Sequence, residues 1–390
     1  MNEPTAQGRA PSPAARRRGT RRALAASTGL VLAALAVSLA IAEAAVRLLA
    51  PQQLVMLRPD IWRPDSTLGH QHQENADTRV NIGAGSVRFV TDGNGYRIDP
   101  TTPAPGARRS VLMVGDSFIE ALSVECAAAI PERTRRSMEH SLGVRVRVDN
   151  AAVGGWDPNQ YLLAARRALA RRSYDLGVVF LFIANDIVAN RVDSYPARPY
   201  ATRHRLRWPR SHRRGEIIDA FLYPVNDVLE TRSHVYILFK ESMRVGLAKL
   251  GLTARQRIPD LFVKSHASSP CWQVTADICK DIEQEFARHG TPVLFVLLPA
   301  DYQVHERTFQ EYVESFGTDP QSVDLTQPNV RLRQEFAARG LRLLDPLPDL
   351  RQQAERGGRI YPKFDMHFNE NGHRVVSEFL APYLVSALAP

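Results

Sequence analysis

The sequence predicts an α/β chain, a three-layer α/β/α sandwich built on a parallel sheet of flavodoxin-like type, and two observations carry that expectation. Runs of strand length are apolar throughout: Val111–Gly115 (VLMVG), Leu176–Ile183 (LGVVFLFI) and Thr291–Leu298 (TPVLFVLL), with Val144–Ala152 and the shorter Leu341–Leu344 beside them. An unbroken apolar run fits a strand covered on both faces, because a strand with one wet face alternates. Amphipathic stretches near 127–142, 159–172 and 272–289, then 305–338 in pieces and finally 370–388, separate or follow these runs. Strands alternating with helices build βαβ units, which place helices on both faces of a parallel sheet.

Two short segments account for the basic charge. Residues 1–22 hold six Arg against Glu3, and residues 191–215 hold eight Arg against Asp193, together more than the whole net charge of +9. The remainder is slightly acidic. A nucleic-acid reader would show a basic face on its domain with a reading motif, and neither is present.

The first basic segment abuts Ala23–Ala42, which carries no charge. As a helix these residues span about 30 Å, the thickness of a bilayer core. Five Arg immediately before it, against Glu43 and Arg47 after it, orient the N-terminus inward by the positive-inside rule. The organisation that follows is a basic cytoplasmic tail over 1–22, a transmembrane anchor over 23–45 and an extracytoplasmic remainder. Ala40-Ile41-Ala42 also resembles a signal-peptide cleavage site, so a cleaved export signal is the alternative. The length of the apolar run favours the retained anchor.

Residues 51–108, rich in Pro, Gly, Asn and Asp, read as a β-rich lead-in. Within them Ser86–Val90 is expected to pair with Tyr96–Ile98 across an Asp92-Gly93-Asn94-Gly95 turn. The main domain occupies 109–390. Residues 187–270 exceed any ordinary loop and read as a helical, Arg-rich insertion, with apolar periodicity over Ile217–Leu229 and Val235–Leu252. Cys126, Cys271 and Cys279 are too few for a disulfide scaffold and read as free thiols. His70 and His72, in a polar stretch with no carboxylate or thiol partner in view, read as solvated rather than metal-binding.

In parallel sheets ligands bind beyond the carboxyl ends of the strands, so the residues closing each strand matter most. The first strand closes in Gly115-Asp116-Ser117-Phe118, the second in Gly154-Gly155-Trp156 and the third in Ala184-Asn185-Asp186. After the fifth come Asp365-Met366-His367 and, further on, Gly372-His373. Ser, Gly, Asn and His in this order resemble the SGNH (GDSL-type) hydrolase superfamily, over about residues 110–388. The lead-in, where Phe89-Val90-Thr91 precedes Gly95-Tyr96-Arg97, looks like that of membrane-anchored bacterial members.

That resemblance implies a serine hydrolase with Ser117 as nucleophile, His367 as general base and Asp365 orienting the imidazole, the logic of a Ser-His-Asp triad. The Ser117 and Gly155 N–H groups and the Asn185 side-chain amide would form the oxyanion hole. Gly155 is taken over Gly154 because it is the glycine before the aromatic residue. The family's last block is commonly D-x-x-H, whereas this chain has D-x-H, which makes His373 a rival base. Asp116 reads as a helix cap, Asp186 as a loop hydrogen-bonder, and Trp156 as either a groove wall or a core residue. No cofactor and no metal are implied.

The expected activity is hydrolysis or transfer of an O-acyl group, O-acetyl above all, on an exported carbohydrate or cell-envelope substrate. The alternatives are a non-catalytic envelope scaffold that binds polysaccharide and an esterase directed at lipid. The Arg run at 203–214 reads as a solvated or membrane-facing surface suited to anionic headgroups or glycans.

Overall fold

The computed structural model describes residues 13–49, 60–81, 86–102, 106–189, 229, 232–249, 260–362 and 366–389. Its centre is a five-stranded parallel sheet of order β6-β5-β7-β8-β9. These strands are β5 (Arg109–Val114), β6 (Val146–Asn150), β7 (Leu176–Phe182), β8 (Val293–Leu298) and β9 (Leu343–Leu344). All seven residues of β7 are buried. Each large apolar side chain moved out of water in this way contributes about 1.5–3 kcal/mol. The five predicted strands are all present, with ends that differ by a few residues.

From β5 the chain crosses to β6 on one side, then returns to lay β7 on the other. Right-handed crossovers in opposite directions put their helices on opposite faces. Helix α3 (Ile130–Leu142) packs against the C-terminal helix Glu370–Leu388 on one face. On the other, α4 (Pro158–Leu169) packs against α7 (Cys271–Arg288), which also meets helix Gln327–Ala338. The result is the predicted three-layer α/β/α sandwich of flavodoxin-like order. Its topological switch point lies between β5 and β7, where a ligand crevice forms in such sheets.

The strands of the lead-in pair differently from the expected hairpin. Two antiparallel hairpins precede the sheet: β1 (Trp62–Asp65) with β2 (Gly69–His72), and β3 (Asp77–Asn81) with β4 (Ser86–Val90). The partner of Ser86–Val90 is therefore Asp77–Asn81, not Tyr96–Ile98. The Asp-Gly-Asn-Gly turn does fold back, since Gly95 and Asp92 share a backbone hydrogen bond and Ile98 N–H donates to Val90 at 2.9 Å. Only a single bridge, Thr91 to Arg97, forms there, and Arg97 goes on to bridge Asn150 of β6. Arg97 thereby joins the lead-in to the main sheet.

The N-terminal helix α1 runs Pro13–Leu49, and its stretch Ala26–Leu49 is long and apolar enough to cross a membrane, a test that a signal sequence also passes. Leu30, Leu32, Leu35 and Ile41 face outward on it. At its far end Glu43 caps helix α6 (His234–Lys249), accepting from the His234 and Val235 amides at 2.9 and 3.0 Å and from Ser233 Oγ at 2.8 Å. Arg47 adds a bond to the Arg232 carbonyl at 2.7 Å. Helix α6 overlaps the Val235–Leu252 stretch, starting one residue before it and ending at Lys249. The Arg203–Arg214 run, and all of Ile217–Leu229 except Leu229, lie outside the described residues. The three cysteines are free, and burial pushes the Cys126 thiol up to about 12.

Candidate active site

Strand β5 delivers the chain to the switch point at Gly115-Asp116-Ser117. Ser117 is the first residue of the four-residue helix α2 (Ser117–Glu120), and Asp116 caps it by accepting from the Phe118 amide at 3.0 Å. Helix α2 stops at Ala121, whose φ of 59° turns the chain out of the helix. Buried Arg97 holds that turn, donating to the carbonyls of Glu120, Ala121 and Val124 at 2.7, 2.5 and 2.9 Å. The nucleophile candidate therefore sits on a tightly supported turn.

His367 reaches the same point from the loop before the C-terminal helix. Its Nε2 lies 2.7 Å from Ser117 Oγ, and its ring packs at 5.1 Å from Phe118. Buried Phe368 fixes the loop, its ring against Phe118 at 4.9 Å and its carbonyl accepting from Ser123 Oγ at 2.8 Å. Asp365 lies outside the described residues.

His373 is not at the site. It is buried in the C-terminal helix with its ring edge toward Phe368, and neither ring nitrogen has a hydrogen-bond partner among the described residues. Burial first, then the charges of Arg97, Arg133 and His367, push its pKa down to about 3.

Asn185 follows β7 and is exposed, its amide donating to Asp116 Oδ2 at 3.3 Å. Asp116 thus does more than cap, since it also holds Asn185 beside Ser117. Asp186 is buried and accepts from Tyr161 Oη at 2.9 Å and from the Phe182 amide at 2.8 Å. Burial, then the nearby Asp116 charge, raise the Asp186 pKa well above the usual carboxylate range.

The loop after β6 brings Gly154 against Ser117. A Cβ on Gly154 would stand 3.5 Å from Ser117 Cβ and 2.5 Å from Glu120 Oε2, so any larger residue has to displace the Glu120 carboxylate or the loop. Gly155 is exposed and has φ +79°, the left-handed region that costs glycine nothing. Trp156 is a core residue, 3% exposed, with its indole N–H on the His70 carbonyl at 3.0 Å.

Two residues read from sequence as solvated are not. His72 is buried against Glu120, Nε2 to Oε1 at 2.7 Å, and His70 Nε2 meets the Gly154 carbonyl at 2.8 Å. Their partners lie 48 and 84 residues away in sequence, which no local pattern announces. The one available signal was their spacing, since i and i+2 on a strand face the same way. Among the described residues no group of three or more His, Cys, Asp or Glu could hold a metal ion.

Chemically, the arrangement offers a hydroxyl in direct contact with an imidazole nitrogen, on a helix start, between a glycine-lined loop and an amide side chain. No family model and no curated protein matches the sequence. Among solved structures the chain is similar to TesA (13% identity, TM-score 0.36, covering 72% of this chain and 100% of that one). It is also similar to a member of the lipolytic protein G-D-S-L family from Veillonella parvula (13%, TM-score 0.37, 70% and 97%). A third is Axe2, an acetylxylan esterase from Geobacillus stearothermophilus (12%, TM-score 0.37, 73% and 96%).

Proposed function

We propose that the chain is a serine esterase that hydrolyses or transfers an O-acyl group, with Ser117 as nucleophile and His367 as general base. The 2.7 Å contact between His367 Nε2 and Ser117 Oγ carries this reading. A serine hydroxyl is a weak nucleophile until a base within hydrogen-bond reach can take its proton. In the first half-reaction Ser117 Oγ attacks the ester carbonyl, His367 takes the hydroxyl proton, and the carbonyl oxygen becomes an oxyanion. Collapse expels the alcohol, which receives that proton from His367. Water, or a sugar hydroxyl in a transferase, then attacks the acyl-serine with His367 again as base.

The oxyanion donors are the Ser117 N–H, the Gly155 N–H and the Asn185 amide, and Asp365 orients His367. The substrate is an O-acetylated carbohydrate outside the cytoplasm, a reading supported by the likeness of the motifs and lead-in to anchored SGNH members. Helix α1 would serve as the anchor. A lipid-directed esterase is the second reading, and one observation favours it: Leu238, Phe239 and Met243 of α6 are exposed beside α1. Turnover of acetylated xylooligosaccharides against long-chain lipid esters separates the two. Activity confined to lipid esters rejects the carbohydrate reading, and acetyl passing to a sugar acceptor identifies a transferase.

A further inference from the structure

Behind the loop that follows β6 lies a group of polar side chains that none of the roles above uses. Glu120 is fully buried at the end of α2, and its carboxylate accepts from His72 Nε2 at 2.7 Å and from Trp62 Nε1 at 3.0 Å. The Gly154 amide donates to the same carboxylate. His72 Nδ1 faces the Gly95 carbonyl at 3.0 Å, so both ring nitrogens meet acceptors. Burial alone would raise the Glu120 pKa, but His72, Gly154 and Trp62 outweigh it and keep the carboxyl charged.

Two residues earlier on the same strand, His70 Nε2 donates to the Gly154 carbonyl at 2.8 Å. Gly154 is thus tied at both ends, its N–H to Glu120 and its C=O to His70. Strand β2 is itself fixed, since the β1–β2 turn is clamped by Arg167 Nη1 on Asp65 Oδ2 at 2.9 Å. In a trans peptide C=O and N–H point in opposite directions. Holding the Gly154 carbonyl toward His70 therefore directs the Gly155 N–H away from it, in a peptide that lies beside Ser117.

We propose that His70 is a positioning residue for the reaction: it locks the Gly154–Gly155 peptide so that the Gly155 N–H is presented to the oxyanion formed at Ser117. The inference rests on the serine-esterase reading above. Two adjacent glycines leave this peptide free to rotate unless something holds it. An oxyanion donor is effective because it is already oriented when charge develops. The lead-in thereby does more than precede the domain, since it completes the site from behind. Loss of the lock weakens binding of the tetrahedral species and leaves ground-state ester binding nearly unchanged.

The test uses the full chain with p-nitrophenyl acetate as probe, and Ser117→Ala as the baseline. His70→Leu keeps the packing and removes the donor, while His70→Gln keeps an N–H donor of similar reach. Expected for His70→Leu is a kcat lower by about 10- to 100-fold, KM within about twofold and affinity for a phenylboronic acid reduced in parallel with kcat, with His70→Gln recovering most of both. Should His70→Leu fail to fold, His70→Asn, too short to reach the Gly154 carbonyl, takes its place with the same expected loss. A folded variant without the donor that keeps wild-type kcat and boronate affinity overturns the lock while the esterase reading stands. Wild-type turnover no higher than Ser117→Ala overturns both.

Discussion

His367 Nε2 stands 2.7 Å from Ser117 Oγ across 250 positions of sequence, and aromatic packing holds both residues in register. Phe118, next to the serine, contacts the His367 ring at 5.1 Å, the Phe368 ring at 4.9 Å and the Phe182 ring at 4.3 Å. The hydrogen bond therefore does not depend on two flexible side chains finding each other. It is built on side chains from the nucleophile turn, the histidine loop and the end of β7.

On the proposed reading the two residues act as one unit, so Ser117→Ala and His367→Ala should each lower kcat on an aryl acetate by about four to six orders of magnitude. The double variant should be little worse than either. Asn185→Ala should lose about a hundred- to thousandfold, the usual cost of one oxyanion donor. Steady-state kinetics, with circular dichroism on each variant, provide the check, and additive losses in the double variant would separate the two roles.

The Gly154 site predicts a steric effect with a specific origin. Gly154→Ala places a Cβ 2.5 Å from Glu120 Oε2. Relieving that overlap displaces either the carboxylate from His72 or the loop from Ser117. Overpacking of this kind costs about 1–3 kcal/mol, and kcat should fall together with Tm. Thermal denaturation and kinetics on the same preparation test it. A variant that melts like the wild type and turns over normally would show that the loop can relax freely.

Much of this candidate site was legible in the sequence because the sheet and the turn that carries Ser117 obey local rules. Val111–Val114 is apolar at every position and ends in Gly-Asp-Ser, so both the strand and its closing residue could be named. Asp116 announced its cap by preceding a helix start. His70, His72 and Glu120 could not be found in that way, because their burial depends on contacts between distant segments. Strand β2, Gly69–His72, has no apolar alternation to mark a buried face. Likewise the turn at Asp92–Gly95 was plain, but the partner of β4 is chosen by the small core of Ile61, Val80, Val87, Phe89 and Leu122, which only the folded chain assembles.

His373 makes a prediction for acid stability. Its folded pKa of about 3 lies below the ordinary 6.5. Unfolding below pH 6.5 therefore takes up a proton, so the stability this residue permits is full above about 6.5 and is lost as pH falls toward 3. The slope is about 1.4 kcal/mol per pH unit for one such proton. His373→Leu should flatten this part of the stability curve by up to that amount and leave kcat at neutral pH nearly unchanged. Urea denaturation across pH 4–7 reads the slope, and a catalytic collapse of folded His373→Leu would move the base to the helix.

The most direct test of the central claim is covalent labelling by a fluorophosphonate probe, with the modified residue mapped by mass spectrometry. An activated serine attacks phosphorus and retains the adduct, whereas an ordinary surface serine does not react at a useful rate. The account predicts one adduct, on Ser117, abolished in folded Ser117→Ala and strongly slowed in folded His367→Ala. An unlabelled native protein, or an adduct on any other residue, would contradict it.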